Sequence, residues 1–221
     1  MNRQIITGIE QQKKNPNRVN IYLDNQFAFG LYKASVLHLK VGDILDDASV
    51  QALKQKDSTE EAYQKALRLL NIRPRTEHEM RSRLVEYGYS DEIIDSVSAT
   101  LLEKNYLNDQ QFAAEWIEDR TTFHPRGKRL LRIELMKKRV DEEEIQAALA
   151  ALPEEGQLVR EAAKKYCGRL KELNEKIFKK KLYGFLVRRG FSYDDIKPVL
   201  DEVWEENARL NSLENEVLKN D

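Results

Sequence analysis

The first part of the chain alternates between apolar and polar residues, which is the pattern of a half-buried β-strand. Apolar side chains occupy every second position in residues 19–23, and the alternation resumes in residues 27–31. Asp24 and Asn25 lie between the two runs and supply residues typical of a tight turn. The pattern predicts a β-hairpin, and apolar residues on either side extend it to a small antiparallel sheet around a short helix near residues 33–39.

From Ser58 onward the apolar spacing becomes helical. Helix starts are marked by a capping residue that is followed three positions later by an acid or an amide. Four such pairs occur: Ser58 with Glu61, Thr76 with Glu79, Asn108 with Gln111, and Asp141 with Glu144. They predict helices of roughly 10–16 residues joined by short loops.

This helical region repeats itself at a spacing of 51 residues. The matched positions are two apolar sites and one site just beyond them: Met80, Leu131 and Leu182; Leu84, Leu135 and Leu186; Gly88, Arg139 and Gly190. Each copy predicts three helices, with the two apolar sites on the second one. Glycine suits the left-handed residue that follows a helix. Arg139 breaks that rule, so we expect the second helix of the middle copy to end differently.

The predicted fold is therefore mainly α-helical, with three tandem three-helix repeats that form an elongated, curved stack behind a small β-rich segment. The predicted boundaries are a β-hairpin-containing extension at 1–57, repeats at 58–106, 107–156 and 157–207, and an acidic tail at 208–221.

Composition limits the class of protein. Of the 221 residues, 41% are hydrophobic and 34% are charged, which is typical of a soluble globular protein. A net charge of −1 excludes a uniformly basic nucleic-acid binder but allows charge to be segregated locally. The single cysteine, Cys167, has no partner for an internal disulfide, and neither a signal peptide nor a membrane-spanning run is evident. We expect a cytoplasmic protein.

Positive charge is concentrated on the second helices of copies two and three. Seven basic residues and one acid, Glu134, lie between Arg126 and Arg139, and six basic residues with no acid lie between Lys176 and Arg189. The helix dipole explains acids at helix N-termini, such as those that open the third helices. It does not explain cations that lie early or midway along the second helices.

These cations predict a basic stripe that fits a phosphate backbone or an acidic protein groove, with a merely solvated face as the alternative. The loop from Pro125 to Lys128 also brings basic residues to a helix N-terminus, a common anion-binding position. The candidates for contact with a partner are Arg73, Arg75, Arg81, Arg126, Lys128, Arg129, Arg132, Lys179, Lys180, Lys181 and Arg188.

Other reactive residue types give no catalytic or metal-binding pattern. The three histidines lack metal-ligand spacing, and Cys167, Trp116 and Trp204 fall at helical core positions, where packing is the expected role. The histidines are His38, His78 and His124. No glycine-rich phosphate loop and no nucleophile with a base is evident. We expect no enzyme activity, no cofactor and no metal.

Three sequence segments together resemble the RecX family. They are Arg-Pro-Arg-Thr-Glu-His-Glu-Met-Arg-Ser-Arg-Leu at 73–84 ahead of Tyr-Gly-Tyr at 87–89, Leu-Asn-Asp-Gln-Gln-Phe-Ala-Ala-Glu-Trp at 107–116, and Gly127 followed by basic residues to Leu135. The resemblance covers about residues 58–207, and the N-terminal extension is similar to that of longer members from Gram-positive bacteria. The middle copy has Arg139 and Val140 where the family often has glycine and an apolar residue.

This resemblance implies a function that neither composition nor spacing reveals. RecX-like proteins regulate the RecA recombinase in recombination, DNA repair and the SOS response, without being enzymes. They lie in the groove of the RecA–DNA filament and lower its ATPase, strand-exchange and coprotease activities. The implied partners are the RecA filament and, through it, single- or double-stranded DNA, with a monomeric regulator. The alternatives are a helical-repeat protein that acts directly on DNA or RNA and a scaffold for another partner.

Overall fold

The computed structural model describes residues 3–123, 125–170 and 173–217. The chain divides into two compact units, residues 1–107 and residues 108–221. The first unit contains the β-sheet and repeat 1, and the second contains repeats 2 and 3.

A four-stranded antiparallel sheet begins the first unit. Its strands are β1 (Arg3–Gln11), β2 (Arg18–Leu23), β3 (Gln26–Tyr32) and β4 (Ile44–Asp46), in the order β3-β2-β1-β4. Asp24 and Asn25 have φ values of 49° and 66°, as a tight hairpin turn between right-twisted strands requires. A short 3₁₀ helix covers Lys33–Val36. The predicted hairpin, sheet and short helix are confirmed.

Helix α1 (Asp47–Ile72) connects this sheet to repeat 1. Its first half packs Leu53 against the sheet core, and its second half supplies Ala62 and Ala66 to the core of repeat 1. The predicted helix start at Ser58 is wrong. Asp46 accepts a hydrogen bond from the Ser49 amide at 2.8 Å and caps the helix before that point, and no glycine or proline then interrupts it.

Asp57 fixes α1 to the sheet from inside this long helix. Its carboxylate lies 3.0 Å from Nη2 of Arg18 on β2 and also accepts a hydrogen bond from the Tyr32 amide at the end of β3. The Arg18 guanidinium lies over the Tyr32 ring, 4.6 Å from its centroid. A buried carboxylate is tolerated here because both a cation and a main-chain donor satisfy it.

The remaining helices form the three-helix repeats. Repeat 1 combines the second half of α1 with two further helices, and repeats 2 and 3 contain three helices each. Their bounds are α2 (Glu77–Glu86), α3 (Asp91–Glu103), α4 (Asp109–Phe123), α5 (Lys128–Lys137), α6 (Glu142–Ala150), α7 (Glu155–Cys167), α8 (Glu175–Arg188) and α9 (Tyr193–Val217). The predicted mainly α-helical fold with three repeats is confirmed. Residues 218–221 of the predicted acidic tail lie outside the described residues.

The matched apolar sites of the 51-residue repeat form the repeat cores. All six are fully buried: Met80, Leu84, Leu131, Leu135, Leu182 and Leu186. Two predicted caps also form, since Thr76 accepts from the Glu79 amide at 3.2 Å and Asn108 accepts from the Gln111 amide at 2.8 Å. Asp141 stands at the N-cap of α6 as predicted, but its side chain accepts no capping hydrogen bond. The periodicity therefore identified the buried faces, and the capping pairs at Thr76 and Asn108 identified the starts of α2 and α4.

Helix α5 ends like its counterparts, so the expected exception at Arg139 is wrong. Arg139 adopts a left-handed φ of 61°, beside 82° for Gly88 and 90° for Gly190. The next residue, Val140, donates to the carbonyl of Leu135 at 3.2 Å, as its counterparts do at the other two helix ends. The hydrogen-bonded turn thus forms in all three repeats, and arginine accepts the strained conformation that glycine adopts freely.

Repeats 2 and 3 meet at the start of α5 within the second unit. The Gly127 amide donates to the carbonyl of Arg189 at 2.9 Å, and Gly190 lies against Leu130 so closely that a Cβ would sit 2.4 Å from the Leu130 Cβ. The Glu155 carboxylate accepts from the Lys128 amide at 3.1 Å and so supplies the cap that Gly127 lacks. The two repeats are joined through main chain and not only through side chains.

Candidate interaction surface

The cations predicted in repeat 1 are all engaged within their own unit. Arg73 Nη1 lies 2.8 Å from a carboxylate oxygen of Glu79, and Arg81 pairs with Asp95. Arg75 is half-buried and donates to a main-chain carbonyl at 3.4 Å, and burial lowers its pKa. These three arginines hold α2 against its neighbours, so none of the predicted cations of repeat 1 is without a partner in the chain.

Most of the predicted cations around α5 are engaged as well. Arg126 pairs with Glu134, and Nη2 of Arg132 lies 2.9 Å from Glu142 on α6. The Lys128 ammonium donates to a main-chain carbonyl at 3.4 Å. The seven basic residues of this segment are therefore far less available than their number suggests.

Glu134, the single acid of that segment, organises this arrangement. It accepts a hydrogen bond from Trp116 Nε1 at 2.9 Å and lies 3.4 Å from Arg120 Nε. The Arg120 guanidinium in turn stacks on the Trp116 ring, 3.9 Å from its centroid. Because Trp116 also packs against Phe112 in the repeat core, its expected role in packing is confirmed.

Lys179 is the one predicted cation of α8 that has carboxylate partners in the described residues. Its ammonium lies between Asp201 on α9 and Glu175 one turn earlier, at 2.5 Å from each. The hydrogen bond to Asp201, followed by that to Glu175, raises the pKa of Lys179. Lys179 therefore ties α8 to α9.

Four of the eleven predicted cations remain exposed and form no ion pair with any described residue. They are Arg129, Lys180, Lys181 and Arg188. Three further exposed cations of these two segments, Lys137, Arg139 and Lys176, share these properties, although the sequence prediction did not select them. Four of these seven cations lie on α8, the second helix of repeat 3.

The same face of α8 carries apolar side chains that the sequence prediction missed. Ile177 is 42% exposed, Tyr183 36% and Val187 45%. Residues three and four positions apart are neighbours on a helix, so Lys180, Gly184 and Val187 lie in one row. The signal was available in the helical spacing of residues 177–188, but counting charge alone does not reveal it.

The remaining singled-out residues have structural roles or no visible partner. Cys167 is buried in the core of repeat 3, and burial raises the pKa of its thiol to about 11, so the expected core role is confirmed. Trp204 packs edge-on against Phe178, with ring centroids 5.2 Å apart, as expected of a core residue. His38 and His78 are exposed, and His124 lies outside the described residues.

The part of the chain that the structure describes has neither a metal-binding cluster nor a membrane-spanning helix. Within it, no group of three or more His, Cys, Asp or Glu side chains is placed to hold a metal ion. None of the helices in the same residues combines the length and the apolar character needed to cross a membrane.

Family models match this chain over four consecutive segments. Residues 4–46 match the regulatory protein RecX N-terminal domain, and residues 62–99, 108–149 and 154–200 match the first, second and third three-helix domains of RecX. The matched segments follow the sheet and the three repeats.

Individual relatives extend this match to nearly the whole chain. The regulatory protein RecX of Bacillus subtilis is 35% identical to this chain, and the match covers 91% of this chain and 78% of that protein. The regulatory protein RecX of Clostridium acetobutylicum is 31% identical, and the match covers 94% of this chain and 100% of that protein. A crystal structure of regulatory protein RecX is 27% identical and covers 90% of this chain and 99% of its own, with a TM-score of 0.73. The crystal structure of RecX from Lactobacillus salivarius is 22% identical to this chain, with a TM-score of 0.58, and the match covers 66% of this chain and 97% of that one. This second likeness supports the fold alone. The chain belongs to the RecX family of regulatory proteins.

Proposed function

We propose that this protein regulates the RecA recombinase by binding the RecA–DNA filament, and that it acts in the cytoplasm as a monomer, by binding and without catalysis. The proposal includes lower ATPase, strand-exchange and coprotease activity of RecA during recombination and DNA repair. Family membership supports the choice of partner. We propose the exposed face of α8 as the contact site, because cations without a described ion pair surround exposed apolar side chains there.

A recurring exposed position supports a partner that is itself repetitive. Val85, Met136 and Val187 occupy the same register of α2, α5 and α8, at intervals of 51 residues, and are 58%, 49% and 45% exposed. An apolar side chain exposed at the same register gives each repeat the same point of contact for a repetitive partner. Contacts made by linked repeats to successive subunits multiply affinity through effective concentration.

Within this proposal, the cations divide into two groups with different tasks. Arg129, Lys180, Lys181 and Arg188 contact the filament, because no described carboxylate neutralises them. The remaining candidates maintain the fold, because each already has a partner in the chain. Solvent-exposed ion pairs contribute only about 0–1 kcal/mol each, so several of the second group can be replaced without unfolding the protein.

The test is the RecA ATPase on single-stranded DNA with substoichiometric protein. We expect the native protein to inhibit, and the quadruple variant Arg129→Gln, Lys180→Gln, Lys181→Gln and Arg188→Gln to lose that inhibition. The matched control removes the same charge from paired positions, with Arg73→Gln, Arg81→Gln, Arg132→Gln and Lys179→Gln, and should still inhibit. No inhibition by the native protein would refute the proposed function, and equal loss in both variants would refute the assigned site.

The alternative function is direct binding to DNA or RNA without RecA, which the unpaired lysines of α8 also favour. Such binding weakens with salt, with a log–log slope of about −0.7 for each single-strand phosphate contacted. Inhibition of RecA that persists at salt concentrations where the protein no longer binds free single strands would exclude this alternative. A parallel loss of both activities would favour it.

A further inference from the structure

Gly184 lies in the middle of α8, where glycine is unfavourable for the helix. Glycine gains more freedom than alanine in the unfolded chain, and it leaves helix backbone open to water. Packing among the described residues does not require it, because a Cβ at Gly184 would meet a single nearby atom of them, Nη1 of Arg188 at 3.4 Å. That atom is the end of a flexible side chain and can move aside.

The residues around Gly184 turn this position into a notch. Ile177 lies seven positions before it and Val187 three after it, both on the outward face and both more than two fifths exposed. Lys180 and Arg188, one turn away on either side, are exposed and unpaired within the described residues. The notch is the missing side chain of Gly184, which lies between apolar and basic neighbours and beneath the end of the Arg188 side chain.

Repeat 3 alone has this notch. At the same register, α2 carries Ser82 and α5 carries Ile133, whose side chain is 39% exposed. The three helices share their buried positions but differ at this outward one. A feature that the common fold does not need, present in one repeat, points to a partner specific to that repeat.

We infer that the outward face of α8 is the docking site for one helix of a protein partner, a helix that carries acidic residues beside an apolar stripe and crosses α8 at Gly184. The inference rests on the proposed function, since the partner helix belongs to the protein component of the filament.

Helices approach most closely where side chains at the crossing are small, and glycine allows the shortest distance. Ile177 and Val187 then bury their exposed surface against the apolar stripe. Lys180 and Arg188 pair with the acidic residues that flank it. A phosphate backbone would satisfy the cations but would leave both apolar side chains without a partner, so the face fits protein better than nucleic acid.

The test uses the full-length variant Gly184→Gln, with Ser82→Gln as the matched control at the same register of α2. Glutamine favours the helix more than glycine does, so we expect the thermal midpoint of Gly184→Gln to equal or exceed that of the native protein. Its side chain fills the notch, so affinity for RecA filaments on single-stranded DNA should fall at least tenfold. The affinity of Gly184→Ala should fall less, and Ser82→Gln, which lies beside the exposed Val85 of α2, should lose clearly less affinity than Gly184→Gln.

Fluorescence anisotropy with labelled protein separates the possible results. Loss of filament binding by Gly184→Gln, with unchanged binding to free single-stranded DNA, supports a protein helix as the occupant. An equal loss on free DNA overturns the inference in favour of nucleic acid, and native-like filament binding by Gly184→Gln overturns it outright, as does an equal loss in Ser82→Gln. Failure of the native protein to bind filaments would instead refute the proposed function on which the inference rests.

Discussion

In repeat 2, three of the four predicted cations around α5 are held by a carboxylate or a carbonyl of the same chain, whereas in repeat 3, three of the four predicted cations on α8 are exposed and form no ion pair with a described residue. The two helices align at a spacing of 51 residues, bury leucine at the same two positions and have similar numbers of basic residues. They differ in the acids that surround them. Glu134 and Glu142 neutralise arginines at α5, while Asp201 and Glu175 share one lysine at α8.

This difference shows that charge density along a sequence does not measure charge available to a partner. A single acid in the right place changes the role of several cations, because it forms short hydrogen-bonded pairs that hold neighbouring helices together. Substitutions in the two repeats, and at the contact that joins them, should therefore have different effects on stability.

The largest effect is expected at Gly190, which follows α8 and lies against the start of α5. A Cβ there would sit 2.4 Å from the Cβ and 3.2 Å from the amide nitrogen of Leu130, in a residue with φ of 90°. Left-handed backbone costs alanine about 1 kcal/mol, and forcing the packed repeats apart adds about 2 kcal/mol. We expect Gly190→Ala to lower the free energy of unfolding by about 3 kcal/mol in urea titrations.

Gly88→Ala is the control that separates the two contributions. Gly88 has φ of 82° and ends α2 in the same way, but a Cβ there would meet nothing within 4 Å. This variant should therefore lose only about 1 kcal/mol, the backbone part. Tryptophan fluorescence reports the second unit, because Trp116 and Trp204 are the only tryptophans and both lie in it, and circular dichroism reports both units. Equal losses would contradict the close contact at Gly190.

The second largest effect concerns the acids that distinguish α5 from α8. Glu134→Ala leaves Arg126 and Arg120 partly buried without their shared carboxylate and leaves Trp116 Nε1 without its acceptor. Breaking a fully buried pair costs about 3–5 kcal/mol, and because these side chains are only partly desolvated, the loss should be smaller, about 2–3 kcal/mol. Circular dichroism in urea measures it without depending on the Trp116 environment.

Glu175→Ala provides the comparison in α8. Glu175 is 56% exposed and shares Lys179 with Asp201, so its removal should cost about 0.5 kcal/mol or less. A larger loss for Glu175→Ala than for Glu134→Ala would show that the carboxylates of repeat 3, and not those of repeat 2, maintain the structure.

The sequence predicted the fold well where local pattern decides structure. The spacing of Leu131 and Leu182 places each on the buried side of its helix, and the caps at Thr76 and Asn108 form as their chemistry requires. It failed at the start of α1, because Asp46 begins the helix before Ser58 can, and two adjacent helical stretches merge without a breaker between them.

The candidate site was predictable only in part. Lys179 and Lys180 are neighbours in sequence, yet one lies beside Asp201, 22 residues further along the chain, and the other faces solvent. Which of two adjacent lysines has a partner depends on the packing of α8 on α9, and no local pattern encodes that geometry. The notch at Gly184 was missed because a glycine within a helix attracts notice only when its neighbours in space are known.

A smaller effect of opposite sign is expected at Arg139, the residue that follows α5. It holds a φ of 61° where the counterpart after α8 is a glycine. Arg139→Gly removes the cost of the left-handed backbone but gives the unfolded chain more conformational freedom. The net result should be a rise of about 0.5–1 kcal/mol in the free energy of unfolding. An unchanged or lower midpoint in urea would mean that the arginine side chain stabilises this turn by contacts of its own.

The smallest effect is a pH dependence at Glu155, the residue of repeat 3 that caps α5. Burial raises the pKa of Glu155 above its usual 4.5, against the opposing effect of the hydrogen bond from the Lys128 amide. From pH 4.5 upward, the unfolded chain therefore loses this proton before the folded protein does, and the free energy of unfolding falls as the pH rises through the folded pKa. Glutamine keeps an oxygen for the Lys128 amide but has no proton to lose.

We therefore compare the free energy of unfolding of Glu155→Gln with that of the native protein at two pH values. The difference, variant minus native, should be higher at pH 7 than at pH 4, by less than about 1 kcal/mol. The measurement is the difference in urea midpoint between the two proteins across that range, which cancels groups that titrate alike in both. Glu155→Ala removes the oxygen as well and should cost about 1 kcal/mol at both pH values, as the loss of a helix cap does. If glutamine destabilises at pH 7 as much as alanine does, the charge of the carboxylate, and not its hydrogen bond, joins repeat 3 to the start of α5.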